Sequence, residues 1–77
     1  MTAGRLNEAL SILQKVIVAA PDVPVFRYHL ASVYHALGNK SAAISELREV
    51  MELAKSTQFD QLDDAKLMMR QLSGKSE

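Results

Sequence analysis

The feature that most constrains the fold of this chain is an internal repeat of 34 residues. A fixed period of this length is typical of arrays built from one helical hairpin per repeat. The matched positions recur at helical spacing, so the repeat preserves one packed face of a helix. Identical residues pair at Gly4 with Gly38, Ala9 with Ala43, Ser11 with Ser45, Leu13 with Leu47, Val16 with Val50 and Ala20 with Ala54.

Helix start and stop signals predict the first two helices. A helix over residues 5–20 should stop before Pro21, whose ring and missing N–H oppose helix continuation. Asp22 is expected to cap the second helix, with Pro24 tolerated in its first turn. Gly38 suits the left-handed position that ends this helix.

Similar signals predict the third and fourth helices. Asn39 is expected to cap a third helix that runs to about Lys55. Thr57 followed by Asp60 resembles a capping box and predicts a fourth helix that ends near Leu72. The sequence therefore predicts an all-α fold of about four helices.

Composition narrows the function classes. The chain has 77 residues, 9 basic and 9 acidic side chains and no cysteine. The zero net charge argues against a nucleic-acid binder, and the lack of cysteine excludes disulfides and thiolate zinc sites. Its longest apolar stretch, residues 16–21, is far shorter than the roughly 20 residues of a membrane span. We therefore expect a soluble protein with no membrane insertion, while its compartment stays open.

A family resemblance rests on the second and third helices. Residues 27–34, RYHLASVY, followed by Gly38 and by Ala43-x3-Leu47, resemble the tetratricopeptide pattern W-x2-L-G-x2-Y and A-x3-F. Arginine, alanine and leucine stand here at the family's Trp, Gly and Phe positions. Residues 26–72 are also similar to the C-terminal end of multi-repeat proteins of bacterial PEP-CTERM and exopolysaccharide systems.

The resemblance implies a right-handed solenoid of antiparallel helical hairpins that binds a protein or peptide without catalysis. The predicted organisation is a single domain, 1–77, with the second helix of a partial repeat at 5–20, one full repeat at 22–55, a C-terminal capping helix at 57–72 and a frayed tail at 73–77.

The same resemblance implies a concave groove for the partner. In this family the first helix of each hairpin lines the groove, which would suit an extended peptide or an acidic segment. The family's carboxylate clamp needs Lys and Asn where this chain has Tyr28, His29 and Ser32, so chaperone-tail binding is not expected. The implied groove residues are Val25, Tyr28, Ser32, His35 and Ala36 on the second helix, joined by Leu62, Lys66, Met69 and Arg70 on the fourth.

A second hypothesis is structural. The face of the first helix that carries Ala9, Leu13 and Val16 would normally meet a preceding helix of its repeat, and this chain supplies none. The chain would then be the C-terminal cap of a longer array, or a unit completed by self-association as a homodimer.

No pattern in the sequence indicates an enzyme, a metal site or a cofactor. His29 and His35 are six residues apart, about 240° around a helix, so they cannot share a metal ion. His35 is then either a structural histidine or a groove residue that hydrogen-bonds a ligand. The acidic residues 60, 63 and 64 are better explained by the positive end of a helix dipole than by a calcium loop.

Overall fold

The computed structural model describes residues 3–73, which form four α-helices and no strand. The helices are α1 at Ala3–Ala19, α2 at Pro24–Ala36, α3 at Lys40–Leu53 and α4 at Leu62–Leu72. α2 packs on both α1 and α3, and α3 packs on α4. The predicted all-α helical repeat is confirmed. The predicted frayed tail lies outside the described residues, apart from Ser73.

The turn between α2 and α3 closes one helix and starts the next within three residues. Gly38 has a φ of 83°, the left-handed conformation that glycine adopts without a Cβ penalty. Its N–H donates to the carbonyl of His35 at 3.0 Å, and the N–H of Asn39 donates to that of Tyr34 at 2.9 Å. These two bonds form a Schellman motif. The Asn39 side chain then accepts from the N–H of Ala42 at 3.3 Å and caps α3, as predicted.

The predicted cap of α2 is wrong. Val23 is the N-cap residue, and its side chain makes no capping hydrogen bond. Pro24 is the first helical residue, and a residue before proline prefers the extended conformation that Val23 adopts at φ −97° and ψ 108°. Asp22 therefore lies one position too early to act as the cap.

The predicted capping box of α4 is also wrong. α4 begins at Leu62 with Gln61 as its N-cap, and no side chain caps it. Thr57 is engaged elsewhere, because its backbone N–H donates to the carbonyl of Leu53 at 2.9 Å and so terminates α3. Thr57 lies in the connection between the two helices, and α4 is shorter at its N-terminus than the capping signal predicted.

The hydrophobic core lies between α2, α3 and α4. Its residues are at most 4% exposed, and burying each leucine in this way stabilises the fold by about 1.5–3 kcal/mol. α1 is peripheral, since none of residues 4–19 is fully buried. The buried residues of this core are Leu30, Ala31, Ala43, Leu47, Val50, Ala65 and Leu72.

Three polar contacts hold α2 against its neighbours. Arg27, at the family's Trp position, pairs with Glu46 of α3 at 2.9 Å, and its Nε donates to the carbonyl of Pro21 at 3.2 Å. Both side chains of this pair are less than one-fifth exposed, so solvent screens the pair less than a surface ion pair. On the other side, Gln14 of α1 donates to the Tyr34 hydroxyl at 3.3 Å. Arg27 thus links α2 to α3 through one ion pair, at the position where the family pattern has Trp.

Candidate partner-binding surface

The predicted groove residues of α2 lie on one face of that helix but differ in accessibility. Val25, Tyr28 and Ser32 are half-buried, whereas His35 and Ala36 are exposed. The face therefore becomes more accessible toward the C-terminal end of α2. A partner could contact the last turn of the helix without any rearrangement of the fold.

Tyr28 is engaged mainly in packing within the fold. Its ring meets the ring of Phe59 edge-on, with centroids 5.8 Å apart and an interplanar angle of 65°. Both rings also pack against the hydrophobic core. An edge-to-face aromatic pair of this kind stabilises by about 0.5–1.5 kcal/mol beyond its buried area. Replacing Tyr28 would therefore disturb the packing of the α3–α4 connection as well as any partner contact.

His35 is an exposed polar group of this face. Its imidazole makes no hydrogen bond within the described part of the chain, whereas the neighbouring Ser32 hydroxyl donates to the carbonyl of Tyr28 at 3.1 Å. A neutral imidazole offers one donor and one acceptor. His29, also exposed, lies with its ring 6.1 Å from that of Tyr28. No group of three or more His, Cys, Asp or Glu residues among residues 3–73 could hold a metal ion.

The predicted groove residues of α4 are divided between two environments. Lys66 and Leu62 line a cleft of about 260 Å³ together with α3 residues, and no α2 residue lines it. Met69 is half-buried against the core, while Arg70 is exposed. The structure thus places Lys66 beside α3. The α3 residues of this cleft and its adjoining turn are Met51, Ala54 and Lys55.

The predicted self-association face of α1 is partly covered. Ala9, Leu13 and Val16 are half-buried, in the helix that packs on α2. Ile12 is 61% exposed and lies one helical turn from both Ala9 and Val16. Val18, elsewhere on α1, is 83% exposed. The uncovered apolar surface of α1 therefore centres on residues that the sequence analysis did not select.

A second cleft, of about 520 Å³, lies where the α1–α2 and α3–α4 connections meet. It is lined by residues 22–25 and 57–61. The sequence analysis missed it, although the repeat offered a signal. A shift of 34 residues places Val25 on Phe59, and both are apolar residues of this cleft.

The family model of the tetratricopeptide repeat matches residues 1–62. The chain is similar to DnaJ homolog subfamily C member 3 of Bos taurus and of Rattus norvegicus, at 31% identity over 71 residues in each case. The match covers 92% of this chain but only 14% of each relative, so the chain spans a small part of their length. No solved structure matches. No helix within residues 3–73 has the length and apolar character to span a membrane.

Proposed function

We propose that this chain, which belongs to the tetratricopeptide repeat family, binds a peptide or a partner domain on the exposed part of α2 and catalyses no reaction. The family is a non-enzymatic repeat family whose members generally mediate protein–protein interaction. The observation that carries the proposal is the exposed end of the α2 face. There His35 has an unused imidazole and Ala36 leaves room for a partner's backbone.

The chemistry of this surface favours an extended segment over a small molecule. The half-buried Val25 and Ser32 continue the row that His35 and Ala36 end, so the face runs along three turns of α2. Lys66 and Arg70 of α4 are exposed cations, and neither takes part in the ion pairs found within residues 3–73. A partner segment that follows α2 and extends to α4 would meet one of them with an acidic residue.

The surface of α2 is tested with charged substitutions at exposed positions. His35→Glu/Ala36→Glu should weaken binding of a partner recovered from the source cells at least about tenfold, because a partner would bury two unpaired carboxylates. Binding of that partner to the purified variants is measured by calorimetry. Lys66→Glu is measured in parallel to test the contribution of α4.

The control for this test is Ser41→Glu/Ser45→Glu, which adds the same charges at exposed positions of α3. It should leave the affinity within about twofold. Equal losses in the two double variants, or unchanged binding in both, would remove α2 as the binding surface. Tyr28→Ala is unsuitable as a probe, since it also removes the packing against Phe59.

A second candidate function is structural, and exposed apolar groups on α1 favour it. Ile12 adjoins the half-buried Ala9 and Val16, so a neighbouring repeat or a second copy of the chain could cover them together. Under this proposal α1 contributes to a longer array or to a homodimer. Its partner surface would then be α1, not α2.

Self-association is tested by sedimentation velocity over a hundredfold concentration range. The native chain should show a sedimentation coefficient that rises with concentration, and Ile12→Glu should abolish the rise, because it would bury a carboxylate in the contact. Ile12 is mostly exposed, so this variant should retain the stability of the monomer within about 0.5 kcal/mol. A native chain that sediments as a monomer throughout would exclude the homodimer.

A further inference from the structure

We propose that the 520 Å³ cleft between the α1–α2 and α3–α4 connections is a second interaction site, which takes a lysine or arginine side chain from an extended segment of a partner protein. This end cleft, lined by residues 22–25 and 57–61, is formed by the first and third inter-helix connections. It contains neither His35 nor Ala36, which carry the proposed α2 surface, and it shares only Val25 with that face.

The lining of the end cleft combines an apolar wall with two carboxylates. Val23, Val25 and Phe59 supply apolar surface, and Asp22 and Asp60 supply negative charge from different connections. The lining contains no lysine or arginine, and neither carboxylate takes part in an ion pair among the described residues. The cleft therefore presents negative charge without an internal counter-charge.

A basic side chain matches both parts of this lining. Lysine and arginine carry a long aliphatic stem that packs on apolar surface while the charged head reaches a polar site. The head would meet Asp22 and Asp60, and the stem would lie on Val25 and Phe59. The amides of Gln58 and Gln61 offer hydrogen bonds to the backbone of the segment. The same two carboxylates would repel an acidic segment.

Contacts within the chain already hold the walls of the cleft in place. Pro24 is buried, which fixes the first turn of α2. Phe59 is held by its edge-on contact with Tyr28, and the backbone of Thr57 is bonded to Leu53. The volume lies within the roughly 300–1,000 Å³ of ligand clefts, enough for a side chain with part of its backbone. A preformed cleft avoids the cost of ordering its walls on binding.

The proposal is tested by NMR titration of the 15N-labelled chain with three capped pentapeptides. Their sequences are Gly-Leu-Lys-Leu-Gly, Gly-Leu-Arg-Leu-Gly and Gly-Leu-Glu-Leu-Gly. The lysine and arginine peptides should shift the backbone amide signals of Val23, Val25, Gln58 and Phe59, and the glutamate peptide should not. Asp22→Asn/Asp60→Asn should raise the Kd of the basic peptides about fivefold, as expected for the loss of two exposed ion pairs.

The matched control is Asp63→Asn/Asp64→Asn, which removes two exposed carboxylates from α4 outside the cleft lining. It should change the Kd less than about twofold. All four positions are exposed, and circular dichroism checks that both variants keep the helix content of the native chain. Equal shifts with the glutamate peptide, equal effects of the two double variants, or shifts confined to His35 and Ala36 would each overturn the proposal. The last outcome would leave the α2 surface standing, so the two proposals fail separately.

Discussion

Leu47→Ala is expected to lower the free energy of unfolding by about 2–5 kcal/mol. Leu47 is 0% exposed and belongs to the core between α2, α3 and α4. It lies on α3, the helix that packs on both α2 and α4, so its loss weakens two helix contacts at once. Domains have roughly 0.05–0.15 kcal/mol of stability per residue, or about 4–12 kcal/mol for a chain of this size. One substitution would therefore remove a large share of the total.

Urea denaturation followed by circular dichroism measures this loss, with comparison variants at Leu13 and Leu67. Leu13 is the repeat counterpart of Leu47 but is only half-buried, and Leu67 is 50% exposed. The midpoint should fall most in Leu47→Ala, less in Leu13→Ala and least in Leu67→Ala. An unchanged m value would attribute the shift to stability alone. A loss in Leu67→Ala as large as that in Leu47→Ala would contradict this account of the core.

The sequence predicted the helices well where the signal was local and strong. Gly38 and Asn39 act on adjacent backbone groups, and the structure confirms both. Asp22 and Thr57 are also good capping residues, but neither caps a helix in the structure. Pro24 set the first helical position of α2, and Thr57 lies in the connection after α3, five residues before α4 begins. A capping signal alone does not show at which residue the following helix begins.

The candidate surface was harder to predict than the fold. Periodicity places Tyr28 and His35 on one face, yet only the packing of Phe59 shows that Tyr28 is engaged in the core. Similarly, family spacing assigned Lys66 to the groove with α2, and the structure places it in a cleft with α3 residues. The end cleft depends on two connections distant in sequence. Such features arise from tertiary contacts, which a helical period does not encode.

A buried alanine of the repeat leaves no space for a larger side chain, whereas a buried leucine fills the space around it. Ala43→Leu is expected to lower the free energy of unfolding by about 1–3 kcal/mol, because three added carbons must enter a filled core. Ala43 is 0% exposed, on the helix at the centre of the packing. Leucine and alanine have similar helix propensities, so the loss would report packing and not helix formation.

Two comparison variants make the Ala43 test specific. Ser45→Leu adds leucine at an exposed position of the same helix and should change stability by less than about 0.5 kcal/mol. Ala9→Leu changes the repeat counterpart of Ala43, which is half-buried on the peripheral α1. It should cost less than Ala43→Leu, because the added carbons can turn toward the uncovered side near Ile12. Ala9→Leu could instead lower the free energy of unfolding as much as Ala43→Leu at micromolar concentration. That result would mean that another surface covers α1 in solution, and it would favour the structural candidate function over binding on α2.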